Sequence, residues 1–343
     1  MRILIIGGTR FIGPYVVRGL AALGHEVAVF HRGQSSMDFP AGVQTILGNR
    51  KDLGNYRSQF QTFSPHVVID MIPYVEQDAV DLVKVFSGAA QRVVVVSSMD
   101  VYRAYGRLIR TEPSEPDALP LTEKSPLREK LYPYRSDPLR SVEDPQRWMD
   151  DYDKTLVERV ILNQSDLPGT VLRLPAVYGP GDRQHRLFPY LKRMDDHRPV
   201  ILLGEGVANW RWARGYVEDV AAAIAAAAVS DQTAGQVYNV AEPGALTELE
   251  WVRAIGRAAG WNEKILVVPE AALPEPMKTV ENTRQDLIAS TEKIRAELGY
   301  HEQVHQQEAL IRTITWERVH PPEVIEPTVF DYAAEDEVIN SQA

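Results

Sequence analysis

Ile3 to Ile6 is an unbroken apolar run, and Gly7 and Gly8 follow at once. A short continuous apolar run is what a parallel strand buried on both faces looks like. An amphipathic segment then continues to Gly24, and Val27 to Phe30 is a second apolar strand. Strand, glycine turn, helix and strand fit into about 30 residues, the length of a βαβ unit. Backbone N–H groups at the start of such a helix bind a pyrophosphate. The pattern recurs, with β-branched runs at Val67 to Ile69 and Val93 to Val96 and the helical segment EQDAVDLVKVFSGA between them. Further strands are expected at Thr170 to Arg173 and Val237 to Val240. Strands alternating with helices predict an α/β fold with a doubly wound parallel sheet of the Rossmann type. A smaller C-terminal α/β substrate domain is expected beside it. The expected division gives residues 1–182 to the dinucleotide-binding domain, with 215–242 returning to it. Residues 183–214 and 243–330 form the substrate domain.

Composition narrows the class. Hydrophobic residues make up 44% of the 343 positions and charged residues 24%, ordinary values for a globular protein. There is no cysteine, which excludes disulfides, thiolate nucleophiles and Cys-ligated zinc and suits a reducing cytoplasm. The net charge of −10 argues against a nucleic-acid partner. No signal peptide is expected from the short apolar start. Val220 to Val229, mostly alanine, is about half the roughly 20 residues of a membrane span and reads as a buried helix. No cluster has metal-ligand spacing.

Four motifs occur in order: GGTRFIG (Gly7 to Gly13), SSMDVY (Ser97 to Tyr102), KTLVE (Lys154 to Glu158) and LRLPAVYGPGD (Leu172 to Asp182). Together they resemble the extended short-chain dehydrogenase/reductase family, also called the NAD-dependent epimerase/dehydratase family. STEKIRAELGY (Ser290 to Tyr300) resembles that family's C-terminal segment. The GGTRFIG variant is most similar to an atypical branch of bacterial reductases or epimerases and chloroplast stem-loop RNA-binding proteins. The resemblance implies a cofactor set of Gly7, Gly8, Thr9, Arg10, Phe11, Ile12 and Gly13 on the phosphates. Asp52 and Leu53 would lie at the adenine, with Lys154, Pro175 and Val177 completing the set. It also implies the smaller C-terminal substrate domain, and a homodimer whose interface includes the helix carrying Lys154. Arg10 stands where most members have the middle glycine, and His31 and Arg32 stand where NAD-using relatives carry an acid. An acid repels a ribose 2′-phosphate, whereas a guanidinium binds it, so NADP is expected over NAD.

In the family a Ser or Thr, a Tyr and a Lys carry the chemistry. Ser98 and Lys154 match, but the Tyr position, four before the Lys, is Asp150, while Tyr152 is two before it. On a regular helix Asp150 faces Lys154 and Tyr152 points away. Three readings stay open: Asp150 is a plain partner of Lys154, Asp150 serves as the base, or a late helix start lets Tyr152 swing inward. The proline-rich stretch 103–148 is expected to be a lid or substrate loop, with Tyr132 and Tyr134 as replacement phenols. His185 is a further candidate proton donor. Tyr178, Arg211 and Arg214 are expected at the substrate, with Trp210 and Trp212 interleaved with the arginines, which suits an anionic, partly flat molecule. Ala176 replaces the Asn that touches a nucleotide in many relatives, and Met99–Asp100 replaces the Asp–Glu pair of sugar 4,6-dehydratases. The expected activity is an NADP-dependent oxidoreductase or epimerase on a hydroxyl/carbonyl carbon of a polar, sugar or nucleotide-sugar-like substrate. The alternative is a catalytically degenerate NADP-binding regulatory or RNA-associated protein.

Overall fold

The computed structural model describes residues 1–35, 37–113 and 115–342. Its strands are β1 (Arg2–Ile6), β2 (Glu26–His31), β3 (Gln44–Leu47), β4 (Val67–Asp70), β5 (Arg92–Ser98), β6 (Gly169–Leu174), β7 (Ala176–Tyr178), β8 (Val200–Gly204), β9 (Arg214–Tyr216), β10 (Val237–Asn239) and β11 (Lys264–Val268). The helices are α1 (Ile12–Ala22), α2 (Arg57–Phe63), α3 (Glu76–Phe86), α4 (Arg103–Leu108), α5 (Lys154–Leu162), α6 (Phe188–Asp195), α7 (Glu205–Asn209), α8 (Val217–Val229), α9 (Glu248–Ala259), α10 (Glu292–Leu298), α11 (Gln306–Val319) and α12 (Tyr332–Ser341).

Seven strands form one parallel sheet in the order β3-β2-β1-β4-β5-β6-β10. This is the doubly wound arrangement, and its order reverses between β1 and β4, where such folds open a ligand crevice. The strands are apolar on both faces for a visible reason. Ile3, Ile5, Val27, Val29 and Val94 feed one core with α1 and α8, while Leu4, Ile6, Ala28, Phe30 and Val93 feed the other with α3 and α5. Adjacent strand residues point to opposite faces, so a strand covered on both sides has no polar positions to spare. The alanine-rich α8 is buried, as its composition predicts. Among the described residues no helix is long and apolar enough to cross a membrane. In the C-terminal half, β8 pairs with β11 and β7 with β9 in two small parallel sheets.

The stretch 103–148 opens with α4 and returns along the protein through bridges between Tyr102 and Leu127 and between Leu121 and Ala289. Its anchor is Arg128, whose side chain is fully buried. Arg128 donates to the carbonyl oxygen of Asp100 at 2.5 Å, to that of Lys130 at 2.6 Å and to the Asp153 carboxylate at 3.2 Å. Asp153 is also fully buried, and its backbone is extended, with φ −160° and ψ 106°. Its carboxylate accepts the N–H of Thr155 at 2.8 Å and that of Tyr132 at 2.7 Å. That is an N-cap, and it starts α5 at Lys154. Of the open readings, the late helix start is the one the structure has, and no regular helix puts Asp150 opposite Lys154: Arg147–Asp150 is a separate 3-10 turn, and Tyr152 lies in the irregular link before the cap.

Asp153→Ala would leave Arg128 charged, buried and unpaired, which should cost about 3–5 kcal/mol of stability in urea unfolding. Replacing both partners by apolar residues of similar volume should recover most of that loss.

Candidate active site

The glycine turn is built for close approach. Gly7 has φ +97°, a region that favours glycine. A Cβ on Gly13 would stand 2.6 Å from the backbone of Gly8, so only glycine lets α1 meet the strand end there. Gly7, Thr9, Arg10, Phe11 and Ile12 line a cavity of about 670 Å³ across the ends of β1, β2 and β4. Gly8 and Gly13 shape the turn from beneath. Such a cradle of backbone N–H groups fits a dinucleotide pyrophosphate. His31, Arg32, Asn49, Arg50 and Lys51 line the same cavity. Arg10 donates through Nε to Ser35 at 2.9 Å, and Arg32 is exposed. His31 accepts the N–H of Gly33 at 3.1 Å, and burial lowers its pKa, which keeps it neutral. The adenine-side expectation needs revising. Asp52 is exposed off the cavity and Leu53 packs in the core, while Asn49 to Lys51 face inward. Pro175 and Val177 sit at the β6–β7 junction and do not line this cavity.

Behind the cavity wall formed by Tyr74 and Trp148 lies a buried cluster. Tyr152 packs against both rings at centroid distances of 6.1 Å. Its hydroxyl donates to Asp100 at 2.7 Å, and the Tyr134 hydroxyl lies 3.1 Å from the same carboxylate oxygen. Tyr134 in turn lies 3.0 Å from the Tyr105 hydroxyl. Lys154 is fully buried, donates to the Val96 carbonyl at 2.8 Å and stands 5.0 Å from the Tyr74 ring centre. Its pKa is pulled down by burial, held up in part by Asp100 and Asp70, and settles at about 8. Burial also raises Asp100, against the pull of Arg128 and the Tyr152 hydrogen bond. Tyr152 is raised well above 10, first by burial and then by Asp100, so it carries its proton at neutral pH. Tyr105 is pushed up to about 12 by burial. Ser98, half-buried at the end of β5, accepts the N–H of Asp100 at 3.2 Å.

The other expected residues divide. Asp150 does not face Lys154. Its carboxylate accepts N–H groups of Ser136 and Arg140 at 3.0 and 2.8 Å and pairs with the Arg140 guanidinium. Desolvation works to raise its pKa, but those hydrogen bonds prevail and hold it at about 2. It is committed as an anion to the loop. Tyr132 stacks under Arg135 at 3.7 Å and is turned to the exterior of the cluster. His185 bonds Glu317 at 2.8 Å and stacks on Trp316, and it lines neither cavity although Gln184 and Arg186 beside it do. A second cavity, of about 470 Å³, is lined by Tyr105, Tyr178, Trp210, Trp212, Arg214 and Glu248, among others. Arg211 lies outside it and donates to the Ala245 carbonyl at 2.8 Å. Tyr152, Asp100, Tyr134 and Tyr105 thus bridge the space between the two cavities. Asp100 is the residue that sequence reasoning passed over, visible there only as a departure from a dehydratase pair. Among the described residues no group of three or more acids or histidines could hold a metal ion.

A parallel doubly wound sheet with a glycine cradle at its switch point defines a dinucleotide-binding enzyme fold. The chain belongs to the NAD dependent epimerase/dehydratase family, whose model matches residues 3–241. It is 29% identical over 286 residues to 2′-dehydrokanamycin reductase of Streptomyces kanamyceticus, covering 82% of this chain and 73% of that one. It is 24% identical over 314 residues to chloroplast stem-loop binding protein of 41 kDa b from Arabidopsis thaliana, covering 87% and 74%. Among solved structures it is similar to the Bordetella bronchiseptica enzyme WbmG in complex with NAD and UDP, with a TM-score of 0.68, 19% identity and coverage of 93% and 96%.

Lys154 is a cation below about pH 8 and loses its charge above it. The resemblance places Lys154 on the cofactor ribose, so affinity for a nicotinamide cofactor should be flat from about pH 6 to 7, begin to weaken near pH 8 and fall further above it. Titration calorimetry across that range checks this, and Lys154→Met should abolish the alkaline limb.

Proposed function

We propose that this protein is an NADP(H)-dependent oxidoreductase or epimerase acting at a hydroxyl/carbonyl carbon of a polar, sugar-like substrate, with Tyr152 as its acid/base. The observation that carries the reading is the Tyr152 hydroxyl on Asp100 at 2.7 Å, beside buried Lys154 and behind the cofactor cavity. Family membership and a reductase among the curated relatives support the reaction class. The late start of α5 supports Tyr152 over Asp150, since it turns the phenol inward and leaves Asp150 locked in the loop.

A bound nicotinamide cofactor would supply the two-electron chemistry. Gly7, Thr9 and Phe11 would hold its pyrophosphate, and Lys154 its ribose. Tyr152 would hold the proton that the substrate oxygen takes on reduction, or accept it on oxidation. The phenolate then left on Tyr152 is stabilised by the Lys154 cation. The Asp100 carboxylate accepts the Tyr152 hydroxyl and so fixes the direction of the phenol. Ser98 is the hydroxyl nearest in sequence to orient the substrate oxygen. A positioned acid/base group contributes about 10²–10⁴ in rate.

Cofactor choice follows from charge. The solved neighbour WbmG holds NAD. Here Arg10, Arg32 and Lys51 line the cavity, and no acid follows β2. That cationic end favours a 2′-phosphate.

NADPH should bind at least about tenfold tighter than NADH, an advantage of about 1.4 kcal/mol, and Arg32→Asp should reverse the order. Calorimetry with both cofactors decides; equal affinities would remove the NADP assignment. On a keto-sugar that the protein reduces, Tyr152→Phe should lower turnover by about 10²–10⁴ with cofactor affinity unchanged. Asp150→Asn should leave turnover nearly intact, and a loss equal to that of Tyr152→Phe would reinstate Asp150.

A further inference from the structure

The 470 Å³ cavity has three arginines on its wall, and each already has a carboxylate. Arg193 donates through Nε and Nη2 to Glu335 at 3.0 and 2.7 Å, through Nη1 to the Pro189 carbonyl at 2.7 Å and through Nη2 to the Val329 carbonyl at 2.7 Å. Arg214 pairs with Glu248 and lies over the Trp251 ring at 4.4 Å. Glu248 is held in turn by the Tyr190 hydroxyl at 2.9 Å. Arg186 bonds Asp182 at 2.8 Å and the Val177 carbonyl at 2.9 Å. Arg193, Glu335, Arg214 and Glu248 are all buried. Pulling either guanidinium onto a ligand anion would leave a buried carboxylate uncompensated, which is strongly unfavourable. A diphosphate needs several unspent cationic donors; among the described residues this wall leaves the Nε of Arg186 without a hydrogen-bond partner, and that guanidinium is already paired with Asp182.

What remains free on the wall is of the opposite kind. Trp210 and Trp212 lie 5.3 Å apart with planes at 36°, and Tyr105 adds further aromatic surface, whereas the Trp251 ring is already covered by Arg214. Glu281, exposed at the rim, has no cation partner among the described residues. Aromatic faces and an unpaired carboxylate attract ammonium groups. The chain's net charge of −10 draws cations toward it.

We propose that this cavity takes an amino-bearing glycoside or aminocyclitol without a phosphate group. The proposal rests on the oxidoreductase reading for its chemistry and adds the substrate class. A ring hydroxyl or carbonyl of such a molecule reaches the Tyr105 end of the cavity, where the Tyr134–Asp100–Tyr152 cluster begins.

The test is calorimetry on the full chain preloaded with NADPH, using neamine as the polyamine glycoside, trehalose as an uncharged disaccharide, and UDP-glucose. Neamine should bind with a Kd below about 1 mM, and trehalose and UDP-glucose should bind at least about tenfold more weakly. Neamine binding should weaken at high salt, as an attraction between exposed charges does. Glu281→Gln and Trp212→Ala should each weaken neamine by about fivefold while leaving NADPH affinity unchanged. UDP-glucose binding tighter than neamine, trehalose matching neamine, or no neamine binding would each overturn the substrate class and leave the oxidoreductase reading standing. Failure of NADPH itself to bind would bring down both.

Discussion

One buried ion pair sets the chemistry of this protein in place. Arg128 and Asp153 meet with no solvent on either side chain, at the N-terminus of α5. Each has work besides the other: Asp153 caps the helix and holds Tyr132, while Arg128 holds the Asp100 carbonyl. Because Asp153 is extended, the helix cannot extend backward through it. Lys154 then points under the sheet, and Tyr152, just outside the cap, points to Asp100. A buried ion pair is weak evidence of stability but can specify one arrangement over another. Here it selects the arrangement in which the phenol and the lysine reach the same neighbourhood despite a two-residue spacing.

The same pair ties the 103–148 segment to the sheet. Asp150 serves the far end of that segment through Ser136 and Arg140, and Tyr134 returns from it into the cluster. The segment therefore contributes Tyr134 and Tyr105 to the cluster and closes one side of the second cavity through Tyr105. The cluster sits between a cofactor-sized cavity rimmed by Arg10 and Arg32, which have no carboxylate partner among the described residues, and a second cavity whose arginines are paired with carboxylates. The two cavities on either side of the cluster therefore differ in the charge they offer a ligand.

The sheet and the glycine turn were legible in the sequence because their causes are local. Ile3 to Ile6 is apolar throughout since both faces are covered, and Gly7 and Gly13 are required by φ and by close backbone approach. The start of α5 was not legible in the same way. The aspartate at 153 is an ordinary N-cap residue, but its dominance over a helix from Met149 depends on Arg128, 25 positions earlier. Asp100 was invisible as a partner of Tyr152 because the two are 52 positions apart. Arg211 and Arg214 look equivalent in sequence. Only the bridge from Arg211 to Thr247 and the short strand β9 show that one turns out and the other in. Leu53 reads as an adenine contact by resemblance, yet its apolar side chain is better buried among Phe30 and Phe60.

The central claim is that Tyr152, positioned through Asp100 and the Arg128–Asp153 pair, is the group that exchanges a proton with the substrate. A crystal structure of the full chain with NADP+ bound tests it most directly. The account predicts Lys154 on the nicotinamide ribose and the Tyr152 hydroxyl as the phenol nearest to nicotinamide C4, with room for a reacting atom about 3–3.5 Å from each. A nicotinamide ring nearest Asp150, Tyr132 or His185, with Tyr152 still enclosed behind Tyr74 and Trp148, would contradict it.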